Sequence, residues 1–227
     1  MPQLRARCPA YKLGRIVTKG HVMKSGLLRI SCCVVGLMAF PTLSQAHFRL
    51  LAPASWLMEN QLGDPQKAAP CGGTNGDFGK PTYAVTDVRG GSSLHIKVQE
   101  TVYHPGHYRV ALAVNSPTEL PLDPKAQTMT NDKGAIMSVS AEVMNPVAPP
   151  VIADGLFPHD SKSDQAFETD ITVPNINCRN CTLQVIEFME QHPVNNPGQF
   201  TYHHCATLHI TADPAKPVDT AWPKERS

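Results

Sequence analysis

The chain has 227 residues, with 20 Lys+Arg against 19 Asp+Glu. Arg5, Arg7, Lys12, Arg15, Lys19, Lys24 and Arg29 all precede residue 47, where no acid occurs; subtracting these seven from the 20 leaves 13 basic against 19 acidic residues, about −6 with His neutral. That balance leaves no basic face for nucleic acid or an anionic membrane.

Residues 1–46 read as an export leader. From Met23, itself a plausible start, come Lys24 and Arg29, the apolar run Ile30 to Phe40, and the small-residue cut signal Ser44-Gln45-Ala46. The run is about half of the ~20 apolar residues that span a bilayer, so a cleaved signal is expected rather than an anchor. The mature chain would begin at His47 in a periplasmic or secreted compartment. Its folded part is expected over 47–211, with a flexible tail over 212–227.

Beyond the leader no amphipathic helix emerges, and 21 Pro with 15 Gly break the chain repeatedly. Strand patterns recur instead: 83–88, then 93–99 with Leu94, Ile96 and Val98 on one face, then 107–114 with Tyr108, Val110, Leu112 and Val114 together. Phe167, Thr169, Ile171 and Val173 mark another, 182–189 a fifth, and His204, Ala206, Leu208 and Ile210 a last. Residues 60–80 and 115–132 read as long loops. The expected fold is all-β, an antiparallel sandwich of the immunoglobulin or fibronectin III kind with long loops.

Cysteine follows the same boundary. Cys8, Cys32 and Cys33 leave with the leader, while Cys71, Cys178, Cys181 and Cys205 remain. An even number in an exported chain predicts two disulfides. Cys178-Arg179-Asn180-Cys181 is also half of a zinc motif, but no second Cys-x-x-Cys exists to complete it.

The chemistry centres on the cut. A terminal His47 offers its α-amino nitrogen, of ordinary pKa about 7.7, and Nδ1, which close one chelate ring. A second histidine completes three nitrogens, a set that suits Cu(II), the strongest binder of the divalent series. The second histidine is expected from Tyr103-His104-Pro105-Gly106-His107-Tyr108. His104 precedes the strand and is preferred. His107 shares parity with Arg109 and Ala111, opposite the core set, and is the alternate that would face water.

Near the end stands Gln199-Phe200-Thr201-Tyr202-His203-His204-Cys205, preceded by Glu187 and His192. The order terminal His, mid-chain His-x-Gly, then Gln, Tyr-x-x-Cys and a final strand resembles the lytic polysaccharide monooxygenases. The phrases from His104 to Val114 and from Cys181 to Met189 are similar to bacterial monooxygenase-like members. The resemblance spans essentially 47–211. It implies a histidine brace in which His47 and His104 hold one copper ion with Tyr202 axial. It also implies that His192 and Gln199 lie beside the metal, that Cys205 joins Cys71, and that Cys178 joins Cys181. It further implies a monomer that oxidises C–H bonds at a polysaccharide surface, a function in which His192, Gln199 and Tyr202 serve the chemistry.

Three features depart from the family pattern. One extra residue separates Gln199 from Tyr202. His203 and His204 follow Tyr202 directly and are alternate ligands, although parity puts His204 with the core and His203 opposite. Aromatic residues are few: Trp56, Trp222, Tyr83, Tyr103, Tyr108 and Tyr202 are all the Trp and Tyr beyond the leader. The rival reading is therefore a non-catalytic extracytoplasmic protein for copper acquisition or delivery. No Gly-x-Ser-x-Gly elbow or phosphate-cradling glycine loop competes with either reading.

Overall fold

The computed structural model describes residues 47–73 and 79–226. The expected leader, its cut and the start at Met23 lie outside the described residues. Ten strands follow in order: β1 (His47–Ala52), β2 (Val85–Arg89), β3 (Ser93–Val102), β4 (Gly106–Ala113), β5 (Ala126–Thr130), β6 (Ile136–Ala141), β7 (Val151–His159), β8 (Phe167–Thr172), β9 (Cys178–Met189) and β10 (Thr201–Thr211). There is no α-helix among the described residues, and none of their helices is long and apolar enough to cross a membrane.

The strands form an all-β sandwich. One sheet has the order β1-β3-β8, the other β2-β10-β9-β4-β7, and β5-β6 is a separate hairpin. Every pairing is antiparallel except β10 with β2. The core forms where the alternating apolar faces meet: Phe48, Leu94, Ile96 and Val98 oppose Tyr108, Val110, Leu112, Leu183, Val185 and Leu208. A fully buried side chain such as Phe48 contributes about 1.5–3 kcal/mol.

The central strands of the large sheet are buried on both faces, so β4 shows no exposed position. Loops cover the outer face. Gln184 Nε2 donates to Pro70 O at 2.8 Å, Arg109 donates to Leu122 O at 2.7 Å, and Cys71 is bonded to Cys205. Cys178 and Cys181 form the second disulfide. Gly106 opens β4 where a Cβ would lie 1.9 Å from Phe188 O. Only glycine lets β4 approach β9 there.

Some expectations need correction. The region 115–132 is not one loop, because β5 begins at Ala126 and pairs with β6. The segment after β10 is anchored: Asn175 Nδ2 donates to the carbonyls of Asp213, Lys216 and Pro217, and Trp222 joins the core. His107 does not face water. It is 6% exposed because its face of the sheet is covered, and its ring lies 5.4 Å from Phe188.

Candidate functional site

Strand register brings the expected site residues toward one end of the sandwich. His47 opens β1 opposite Val102, near the end of β3, and His104 follows Val102 by two residues. On the other sheet Tyr202, Glu187 and Tyr108 form one row across β10, β9 and β4. All three side chains are fully buried.

His47 is buried, and its ring meets Tyr202 edge-on at 5.3 Å. Its Nε2 lies 3.6 Å from Asp64 Oδ2, and the imidazole, as the largest influence, holds the Asp64 carboxyl below its usual range. The nitrogen that can close a ring with the terminal amine is Nδ1, so the Asp64 contact uses the other edge. The main-chain nitrogen of His47 is an amide while Ala46 precedes it, so the amine ligand exists only after cleavage.

His104 is also buried. Its N–H donates to Glu100 Oε1 at 2.8 Å, and its ring meets His192 edge-on at 4.6 Å. His192 is fixed in turn by Ser138, whose Oγ accepts the His192 N–H at 3.1 Å. The structure thus pairs His47 with Tyr202 and His104 with His192. Asn195, which the sequence did not single out, donates from Nδ2 to Tyr202 Oη at 3.3 Å. Burial pushes the Tyr202 phenol up, so it stays neutral at ordinary pH.

Gln199 O accepts the Asn195 main-chain N–H at 2.8 Å. Gln199 is exposed, at φ 46°, and lines a hollow with Leu122, Asp123 and Phe200. The alternate ligands have other partners. His203 Nε2 lies 2.8 Å from Asp123 Oδ1 on the outer face. His204 Nε2 donates to Phe48 O at 3.0 Å, and its Nδ1 lies 3.3 Å from Glu59 Oε1. Neither is solvated, since both are at most 1% exposed.

Sequence reasoning missed a polar cluster behind these residues. Ligand-capable atoms of Glu100, His159 and Glu187 lie within 4.8 Å of one another. A signal was present: Glu100 continues the parity of Leu94, Ile96 and Val98, and Glu187 that of Leu183 and Val185, so both acids occupy core positions.

The donor types offered by His47 and His104 can be compared with those copper takes. Two imidazoles and, once the chain is cut before His47, a terminal amine would be donors of the kind that suits Cu(II), and the His47 ring has Asp64 on one edge and the neutral Tyr202 phenol beside it. No family model matches the chain, and no curated protein matches it. Among solved structures, the lytic polysaccharide monooxygenase AA15 from Thermobia domestica in the Cu(I) state is similar at 14% identity and TM-score 0.43, covering 73% of this chain and 99% of that one. This is a remote resemblance in fold.

Proposed function

We propose that the chain, cut before His47, is a mononuclear copper protein of the lytic polysaccharide monooxygenase-like kind acting on a polysaccharide. His47, through its amine and Nδ1, and His104 hold the ion. The observation that carries the reading is the setting of His47: the first residue after the expected cut opens a buried strand, turns Nε2 toward Asp64, and packs on Tyr202. A surface residue that merely happened to follow a cut would have no such setting.

Bound copper would supply activation of O2 or peroxide for oxidation of a C–H bond. The chain's own groups set the surroundings. Asp64 orients the His47 ring and favours a proton on Nε2. Asn195 fixes the Tyr202 hydroxyl, and burial keeps that phenol protonated. His192 limits rotation of the His104 ring by edge-on contact.

A second reading, copper acquisition or delivery without turnover, draws on the aromatic inventory. Tyr108, Tyr202 and Trp222 are buried, and the Tyr103 hydroxyl is tied to Asp160 O. Few rings remain to stack on sugars. Export followed by intact mass and Cu(II) titration tests the shared site. We expect a start at His47, one tightly bound Cu(II), and loss of binding by orders of magnitude in His104→Ala. A mature start elsewhere sinks both readings. Oxidised oligosaccharide released from cellulose or chitin in the presence of a reductant separates the enzyme from the carrier.

A further inference from the structure

The polar cluster behind the copper residues contains more acceptors than donors. Glu100 is 7% exposed and Glu187 fully buried. Among the described residues, Glu100 Oε2, both carboxylate oxygens of Glu187, and Tyr108 Oη have no hydrogen-bond partner. His159 joins them. Its Nδ1 donates to Phe157 O at 2.8 Å, which leaves Nε2 3.3 Å from Glu100 Oε1. Between that nitrogen and that oxygen a proton or a metal cation must lie.

A proton on His159 or Glu100 answers that one contact and leaves Glu187 unanswered. A divalent cation answers all of them. Two carboxylates and a neutral imidazole bring charge −2, which a divalent ion cancels, the condition for burying charge in a core. The 3.3 Å between Glu100 Oε1 and His159 Nε2 equals the edge of a tetrahedron with bonds of about 2.0–2.1 Å. The Nδ1 contact to Phe157 O is of the kind that orients ligating histidines from outside.

We propose that Glu100, His159 and Glu187 form a second, buried metal site for a divalent cation of the zinc class, with Tyr108 Oη or water as the fourth ligand. Glu100 belongs to β3 in the small sheet, and His159 and Glu187 to β7 and β9 in the large one. The ion therefore joins the two sheets. It also fixes the Glu100 carboxylate that holds the His104 N–H. Neither copper nor the amine of His47 takes part, so this site stands or falls independently of the proposed copper function.

The test uses the exported, metal-stripped chain carrying His47→Ala, which disables the copper site. Zn(II) is titrated by calorimetry, the bound metal is counted by elemental analysis, and Co(II) is added as a spectroscopic stand-in. We expect one equivalent, a raised melting temperature with Zn(II), and visible Co(II) bands of a low-coordinate O/N site. Glu187→Gln on that background should weaken binding by more than the about 10–100-fold typical of losing an outer partner, and should abolish the thermal shift. Glu100→Gln, which can still accept the His104 N–H, is the second variant should Glu187→Gln fail to fold. Absence of saturable Zn(II) binding in His47→Ala overturns the proposal. So does binding that persists undiminished in Glu187→Gln or Glu100→Gln, because it would come from surface groups such as His95, Glu168 and Asp170.

Discussion

Replacing Glu59 by Gln tests how the strand that begins with His47 is held in place. A carbonyl can only accept, so His204 Nε2 carries the proton in its 3.0 Å bond to Phe48 O. Its Nδ1 then presents a lone pair 3.3 Å from Glu59 Oε1. Burial pushes His204 down to about 4 and Glu59 up to about 7. The contact is therefore a neutral one, with the proton on the carboxyl. Unfolded, the two groups titrate near 6.5 and 4.5. His204 contributes stability that is complete above 6.5 and is lost as pH falls toward 4. Glu59 contributes stability that is complete below 4.5 and is lost as pH rises through 7. Each window is worth about 3 kcal/mol at 1.36 kcal/mol per unit. The opposite slopes cancel between pH 4.5 and 6.5 in the native pair. Glu59→Gln removes one slope. Its destabilising cost relative to the native chain should therefore shrink by about 3 kcal/mol from pH 4.5 to pH 7. Urea unfolding of both proteins at several pH values, with disulfides intact, measures the difference, in which all other titrating groups cancel. A cost that grows with pH would mean that Glu59 is ionised in the fold, paired with Arg49, whose Nε lies 3.6 Å from its Oε2, or with a charged His204, and would refute the assignment.

Four further outcomes are expected. Gly106→Ala should cost more than about 3 kcal/mol in chemical denaturation, because the new methyl would meet Phe188 O at 1.9 Å. Removing the Cys71–Cys205 bond, which closes a 134-residue separation, should cost about 2–5 kcal/mol by the same assay. Tyr202→Phe should leave Cu(II) affinity nearly intact by calorimetry and change the electron paramagnetic resonance spectrum modestly. His107→Ala should leave copper binding unchanged, since its ring packs on Phe188 in the covered outer face. Loss of copper there would mean that the wrong histidine of the turn has been chosen.

The parts of the fold readable in the sequence were those where one face alone sees the core. Leu94, Ile96 and Val98 alternate cleanly with solvent-facing neighbours, and β3 was found there. β7 was missed because Gly155 at φ 65° and Pro158 interrupt its pattern, and three register shifts against β4 break its parity. The burial of His107 and His203 was illegible for a different reason. Strand parity says which face a residue is on, but not whether a loop distant in sequence covers that face. Asp123 and Leu122 arrive over the sheet from the segment after β4. At the candidate site, motif order names His47 and His104 as candidates, whereas Asp64 and Asn195, which contact His47 and Tyr202, come from loops whose position no periodicity encodes.

The large sheet changes character along its length, and that change bears on both proposed sites. Three successive rows cross β4, β9 and β10: Leu112–Leu183–Ala206, then Val110–Val185–His204, then Tyr108–Glu187–Tyr202. Polarity rises row by row toward the end that carries His47. The first row holds the sheets together by apolar burial alone. The last places a carboxyl in the core, where burial pushes its pKa well above the ordinary range. Such a group is costly in a metal-free core, because a buried polar group without a partner loses about 1–3 kcal/mol of hydration that nothing replaces. Glu187→Leu keeps the approximate volume and removes that cost. The metal-free variant should therefore be as stable as the metal-free native chain or gain up to about 3 kcal/mol in urea unfolding. A variant less stable than the native chain by 1 kcal/mol or more, with all metal chelated from both, would show that Glu187 stabilises the fold without any ion, and the account of the last row as a ligand-bearing row would fail.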